Sequence, residues 1–205
     1  MSRLVVVDLF VEDRAHEQLL KPLVERVAGE ENVEILVRVR SARGGHGRAL
    51  EEFELYQTLV EKNAVPSPAA ELLVVGIDGN CTPFHKKRAQ IQEAARPELA
   101  QRLVVACPDP HVERWYLADP DCFSEVVGLR PTVGRKKCTR DHYKTVLARA
   151  VLQAGHPPTL GGIEYAREIA QGIDCYRAGR NDRSFKAFID DLRSGLRALH
   201  ARSGG

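Results

Sequence analysis

The sequence predicts an α/β protein, with a doubly wound parallel sheet flanked by helices and a C-terminal helical appendage. Three observations point there. Leu72–Asn80, LLVVGIDGN, is an apolar, largely β-branched run without charge until Asp78, as in a strand buried on both faces. Apolar strands alternate with helical stretches four times over residues 1–130. From Pro131 onward the strand signal stops and only stripes of helical spacing continue. The division expected is an α/β domain over 1–130 and a basic helical appendage over 131–205.

Leu4–Val11 reads as the first strand, with Glu12 at its end. Asp13 can cap a following helix in which Leu19, Leu20, Leu23, Val24 and Val27 recur at helical spacing, with a bend or break expected at Pro22. Val33–Val39 alternates as a strand near the sheet edge. The loop Ser41–Arg48 and a helix over Leu50–Val60 follow it. Turn-rich VPSPAA leads into the Leu72–Asn80 strand, and Pro83 opens a helix reaching about Ala95. Leu103–Ala106 is a short fourth strand; after it Asp109 reads as the N-cap, and Pro110 as the first residue, of a helix through HVERWYLAD. Beyond Pro131, helices are expected over Asp141–Gln153, Ile163–Ile173 and Ser184–Ala201.

Composition sets the class. In 205 residues, 43% are hydrophobic and 28% charged, the balance of a soluble globular chain. No apolar run approaches the ~20 residues that span a bilayer. The opening MSRLVVVDLFVEDR carries Asp8 and Glu12 and reads as a strand rather than a signal peptide. Five cysteines, odd in number and never spaced CxxC, argue against a disulfide framework and for a reducing cytoplasm. Three of them, Cys81, Cys107 and Cys138, are followed four residues on by His85, His111 and His142, which raises a zinc-stabilised interaction protein as one reading. Net charge divides unevenly: −5 over residues 1–130 and +7 over 131–205. An acidic front with a basic back suits a protein that holds a cation and contacts a polyanion.

Three acids follow three separate strands: Glu12, Asp78 and Glu113. In a parallel sheet they converge on one edge, where open α/β sheets place ligands. Crowded carboxylates repel unless a cation neutralises them, and oxygen ligands suit Mg²⁺ or Mn²⁺. Taken singly, Glu12 answers a helix dipole, Asp78 caps a turn and Glu113 sits in the first turn of its own helix.

Residues Glu12-Asp13-Arg14-Ala15-His16 after an apolar strand resemble the V-E-G-x-T-E segment of Toprim domains, and Asp78-Gly79-Asn80 is similar to their D-x-D motif. Pro110-His111-Val112-Glu113-Arg114-Trp115-Tyr116-Leu117-Ala118-Asp119 resembles the P-x-x-E-x-W-L-L-x-D segment of small stand-alone Toprim proteins related to the OLD (overcoming lysogenization defect) nucleases. Ser184-Phe185-Lys186-Ala187-Phe188 is similar to a tail motif of that group. The resemblance implies a Toprim-like sheet and Mg²⁺- or Mn²⁺-dependent phosphodiester cleavage of DNA or RNA. It implies Glu12, Asp78 and Glu113 as metal ligands; Asn80, in the second D-x-D position, can ligate as well, and in a nuclease Glu12 or His16 would assist proton transfer. A tail lysine, Lys144, Lys136 or Lys137, would face the phosphate. It further implies defence against phage or plasmids beside a partner ATPase. Three positions depart from the pattern: Asp13 replaces a glycine, His16 an acid and Asn80 an aspartate. The two neutral ligands weaken a two-metal site most, which leaves a degenerate, non-catalytic binding module as the second reading.

Basic residues supply the nucleic-acid candidates. Arg43 and Arg48 flank a glycine-rich loop that can approach phosphate closely, while Arg135, Lys136, Lys137 and Arg140 cluster before Tyr143. The loop lacks the G-K-[ST] of a Walker motif. No membrane partner is expected, and a homo-oligomer stays open.

Overall fold

The computed structural model describes residues 4–41, 46–65, 68–134, 136, 138–139 and 141–203. Arg43, Arg135, Lys137 and Arg140 lie outside the described residues. The first half winds as β1 (Val5–Val11), α1 (Arg14–Glu30), β2 (Ile35–Ser41), α2 (His46–Glu61), β3 (Leu72–Gly76), α3 (Phe84–Glu93), α4 (Pro97–Ala100) and β4 (Leu103–Ala106). After the last strand come α5 (Glu113–Tyr116), α6 (Pro120–Val127), α7 (His142–Gln153), α8 (Ala166–Gly172), α9 (Cys175–Asn181) and α10 (Arg183–Ser203).

The four strands form one all-parallel sheet in the order β2-β1-β3-β4, the α/β architecture expected. β1 and β3 are buried throughout, because helices cover both faces. Alternation along each strand divides the core. Val5, Val7, Leu9, Val11, Val74 and Val104 face α1 and α10, whereas Val6, Phe10, Leu73, Val75 and Val105 face α2, α3 and α4. Asp8 interrupts the second face. It is buried there, gripped by Arg38 through Nε at 2.6 Å and Nη2 at 3.0 Å, with Arg40 Nε 3.3 Å away.

The C-terminal helices pack into the first core. α10 crosses the sheet at Gly195, where an added Cβ would lie 3.0 Å from Leu72 Cδ1. At the start of that helix, Asp182 Oδ1 accepts from the Ser184 and Phe185 amides. Ser184 Oγ in turn accepts from Trp115 Nε1 at 3.0 Å and from the Asp109 amide at 3.1 Å. Trp115 stacks on Phe188 and meets Phe185 edge-on, both with ring centroids 5.3 Å apart. Two short motifs separated by about seventy residues of chain thus dock on one another.

Some boundaries differ from expectation. α1 runs through Pro22 without ending, since its buried leucine stripe, packed under the sheet, offsets the missing hydrogen bond. Asp109 does not cap a helix at Pro110, because α5 begins only at Glu113. The Asp109 amide is taken by Ser184, and the Val112 amide by Asp78. α6 and α9 are too short for their periodicity to stand out from sequence.

Because Phe188 is fully buried between Trp115 and the sheet side of the core, Phe188→Ala is expected to lower the unfolding free energy by about 3–5 kcal/mol. Tyr176→Ala, at a residue 74% exposed, should change it by less than about 0.5 kcal/mol. Urea denaturation of the two variants checks this; equal, small effects would mean that the tail helices add nothing to the sheet's core.

Candidate metal centre

The chain runs from β1 outward to β2 and returns to β3 on the other side of β1, so the sheet's switch point lies between β1 and β3. Ligand crevices of open α/β sheets open there, beyond the carboxyl ends of the strands. Glu12 follows β1 and Asp78 lies just past β3. Pairing continues for one step beyond the ladder, as the Glu12 amide donates to Gly76 O at 3.1 Å. The Asp78 amide then donates to Glu12 Oε2 at 3.1 Å, which ties one acid's side chain to the other's backbone.

Local sequence explains the third member. Asp13 caps α1, its Oδ1 accepting from the His16 amide at 3.0 Å. One turn into the helix, His16 is fully buried. Its Nδ1 lies 2.8 Å from Asp13 Oδ1 and its Nε2 3.1 Å from Asp78 Oδ1. Gly76 makes the close approach of α1 possible: a Cβ there would lie 2.6 Å from Leu20 Cδ1 and 3.6 Å from the His16 ring. Glu12, His16 and Asp78 each offer a ligand atom, all within 4.8 Å of one another, and these three could hold a metal ion.

Asp78 is the most constrained of the three. Besides His16, its Oδ1 accepts from the Val112 amide at 2.8 Å, and its Oδ2 lies 3.0 Å from His111 Nδ1. Burial opposes its ionisation, but the charge of His16 and the hydrogen bonds of His111 and His16 outweigh that and hold its pKa down. Burial likewise works against charging His16, yet Asp78 and Asp13 on its two ring nitrogens raise its pKa to about 10. For Asp13, burial is opposed by the hydrogen bonds and charge of His16, and the carboxyl drops to about 2. Asp13, His16 and Asp78 therefore form a run of alternating charge, with His111 on the other oxygen of Asp78. Two carboxylates and an imidazole suit a divalent transition ion, and His16 must give up its proton to ligate one.

Glu12, Asp13, Asp78 and His111 line a cavity of about 340 Å³ together with Asn80, Cys81, Cys138, Asp141 and Lys144, with His16 enclosed behind them. Among the described residues, five non-glycine positions have a left-handed backbone, and three of them, Asn80, Cys138 and Asp141, line this cavity. Gly79 is needed beside them, since a Cβ would come within 2.9 Å of Pro108 O.

Glu113 stands apart from the three-residue group. It is buried at the head of α5, its Oε1 3.9 Å from Lys144 Nζ and its Oε2 without a hydrogen-bond partner. Burial and the charge of Asp78 push its pKa up. It lines an adjoining, more apolar cavity of about 460 Å³ that shares Asp13 and Lys144 with the first. Of the three tail lysines, Lys144 lines both cavities, Lys136 is exposed on the chain before α7, and Lys137 lies outside the described residues. Asn80 reaches the cavity, its Nδ2 donating to Asp78 O at 3.4 Å. Arg48 is exposed on α2, which covers the opposite face of the sheet from α1.

The cysteine–histidine pairs do not gather. Cys107 is buried near Phe84 O, His85 is exposed against the Phe84 ring, and His111 is engaged with Asp78. Cys81 and Cys138 do meet, joined by a disulfide with Cα atoms 4.9 Å apart. The other three cysteines, Cys107, Cys122 and Cys175, are free.

Asp13, His111 and Asp141 were missed as site residues. Asp13 and Asp141 carry only cap and turn signals, and His111 becomes visible only through its place one residue before the Val112 amide that Asp78 binds. No family model matches the chain, and neither a curated protein nor a solved structure matches it.

His16 carries a pH test. Its pKa rises on folding, so its contribution to stability is complete below the ordinary 6.5 and is lost as pH climbs through about 10. Urea midpoints are expected to fall across that window in the wild type and to fall less steeply in His16→Gln. Parallel slopes would mean that His16 is not held as a cation.

Proposed function

We propose that this protein is a metal-dependent nuclease of Toprim-like architecture, hydrolysing phosphodiester bonds of DNA or RNA in the cytoplasm. The observation that carries the reading is the convergence of Glu12, His16 and Asp78 at the sheet's switch point, ligand atoms within 4.8 Å of one another. Lys144 beside them adds a cation suited to a phosphate oxygen. Mn²⁺ fits the mixed oxygen and nitrogen donors better than Mg²⁺ does. Bound there, the ion would polarise a phosphoryl oxygen and lower the pKa of a water.

The chain's own residues divide the remaining work. Glu12 and Asp78 supply the anionic grip, and the Val112 amide with His111 fixes the angle of the Asp78 carboxylate. His16 is wholly enclosed, so, once deprotonated, it would hold the ion beside Asp78 rather than take a proton from substrate. That role falls to Glu12, which is the less buried of the two carboxylates. Lys144 spans the two cavities and orients the phosphate between them. A partner ATPase and a role in defence against phage or plasmids belong to the same proposal, by resemblance alone.

One observation favours a second reading. His16 already neutralises Asp78 and Asp13 as a buried cation, so the cluster stands without a metal. On that reading the chain is a degenerate Toprim-like module that binds nucleic acid or protein without cutting.

Incubation of the protein with supercoiled plasmid, single-stranded DNA and transfer RNA, each with Mn²⁺ or Mg²⁺, separates the two. Cleavage of at least one substrate is expected. Glu12→Gln and Asp78→Asn should each reduce it by about a hundredfold or more, and His111→Ala by about ten- to a hundredfold. Cleavage that survives both carboxylate substitutions overturns the site. No cleavage with retained nucleic-acid binding supports the module instead.

A further inference from the structure

Cys81 and Cys138 play no part in the metal centre, yet both line its cavity. They come from distant parts of the chain, 57 residues apart, one between β3 and α3 and the other in the approach to α7. Both are exposed, whereas Cys107 and Cys122 are buried and Cys175 is half-buried. A Cα separation of 4.9 Å lies within the range a disulfide spans. Cys81 directly follows Asn80, and Cys138 stands three residues before Asp141, so the bridge joins the two strained stretches of the cavity wall.

What the bridge holds is the approach to α7. Among the described residues Tyr143 also holds that stretch: it is buried, and its hydroxyl donates to Gly134 O at 3.2 Å and accepts from the Lys136 amide at 3.3 Å. With the bridge closed, Asp141 and Lys144 are kept on the cavity and Lys144 Nζ lies 3.9 Å from Glu113 Oε1. With it open, the covalent tie between the two stretches is lost and the Tyr143 contacts stay.

We propose that Cys81 and Cys138 form a reversible oxidative crosslink that fastens the start of α7 over the metal cavity, so that the thiol state of the chain sets how firmly that wall is held. The chemistry is exchange with a low-molecular-weight disulfide such as oxidised glutathione. One cysteine sulfur attacks the small disulfide, forming a mixed disulfide and expelling one small thiolate. The other cysteine sulfur attacks the mixed disulfide, closes Cys81–Cys138 and expels the second. Two electrons pass from the protein's sulfurs to the small disulfide, and the two thiol protons go to the two departing thiolates. In a reducing compartment such a bridge is transient and serves sensing rather than stapling.

The test uses the full chain equilibrated in reduced–oxidised glutathione mixtures, quenched and alkylated. Non-reduced digests are read by mass spectrometry, and amide hydrogen exchange is followed in the same samples. The expected result is a Cys81–Cys138 linked peptide that grows with the oxidised fraction, with slowed exchange across 141–148. Cys81→Ser and Cys138→Ser should each lose both effects, and Cys175→Ser should keep them. Absence of the linked peptide at every ratio overturns the proposal, as does a crosslink that leaves exchange across 141–148 unchanged. Neither readout involves cleavage, so this result and that of the nuclease test stand separately.

Discussion

The arrangement of the site depends on one carboxylate that is held from several sides. Asp78 leaves the end of the buried β3 strand and at once meets a backbone amide and a histidine from the segment after β4, and a second histidine from α1. A carboxylate nearly out of reach of water would favour its neutral form without such partners. With them it stays ionised, and its two oxygens are fixed in direction. Every element that reaches Asp78 must therefore arrive in register. Gly76 lets α1 approach, Gly79 lets the chain turn under Pro108, and the ladder between β1 and β3 places Glu12 alongside.

The distant helices contribute to that register. The segment 107–112, which brings both His111 and the Val112 amide, is tied to the start of α10 through Ser184, which accepts from both the Asp109 amide and Trp115. Arg114 Nη1 adds a bond to Asp109 O at 2.7 Å. Stability of the tail and geometry of the centre are thus one problem. The Trp115–Phe185–Phe188 stack is where hydrophobic burial is converted into the placement of polar groups at the sheet edge.

Much of this was legible in the sequence, for physical reasons that also explain the failures. Strands buried on both faces read as unbroken apolar runs, so the ends of β1 and β3, and with them Glu12 and Asp78, could be located from residue types alone. Asp13 read correctly as the cap of α1, because capping is a local interaction. The second role of Asp13, as counter-ion to His16, depends on a ring direction that only packing settles. Glu113 was expected as a ligand beside Glu12 and Asp78; its place after β4 is right, but it lies toward Lys144 and the neighbouring cavity at the head of α5. The helix start misread at Asp109 has the same origin, since a backbone amide committed to a remote side chain leaves no local trace. The meeting of Cys81 and Cys138 is likewise a tertiary fact, invisible to spacing rules that look for CxxC.

Anomalous diffraction at the manganese edge from crystals grown or soaked with Mn²⁺ tests the account most directly. An anomalous peak bounded by the Glu12 and Asp78 carboxylates, with His16 Nε2 turned toward it and no longer protonated, is the result expected. A saturating soak that leaves that position without a peak, or one that puts the ion elsewhere while His16 still bridges Asp13 and Asp78, would contradict the metal centre and leave a self-neutralised cluster in its stead.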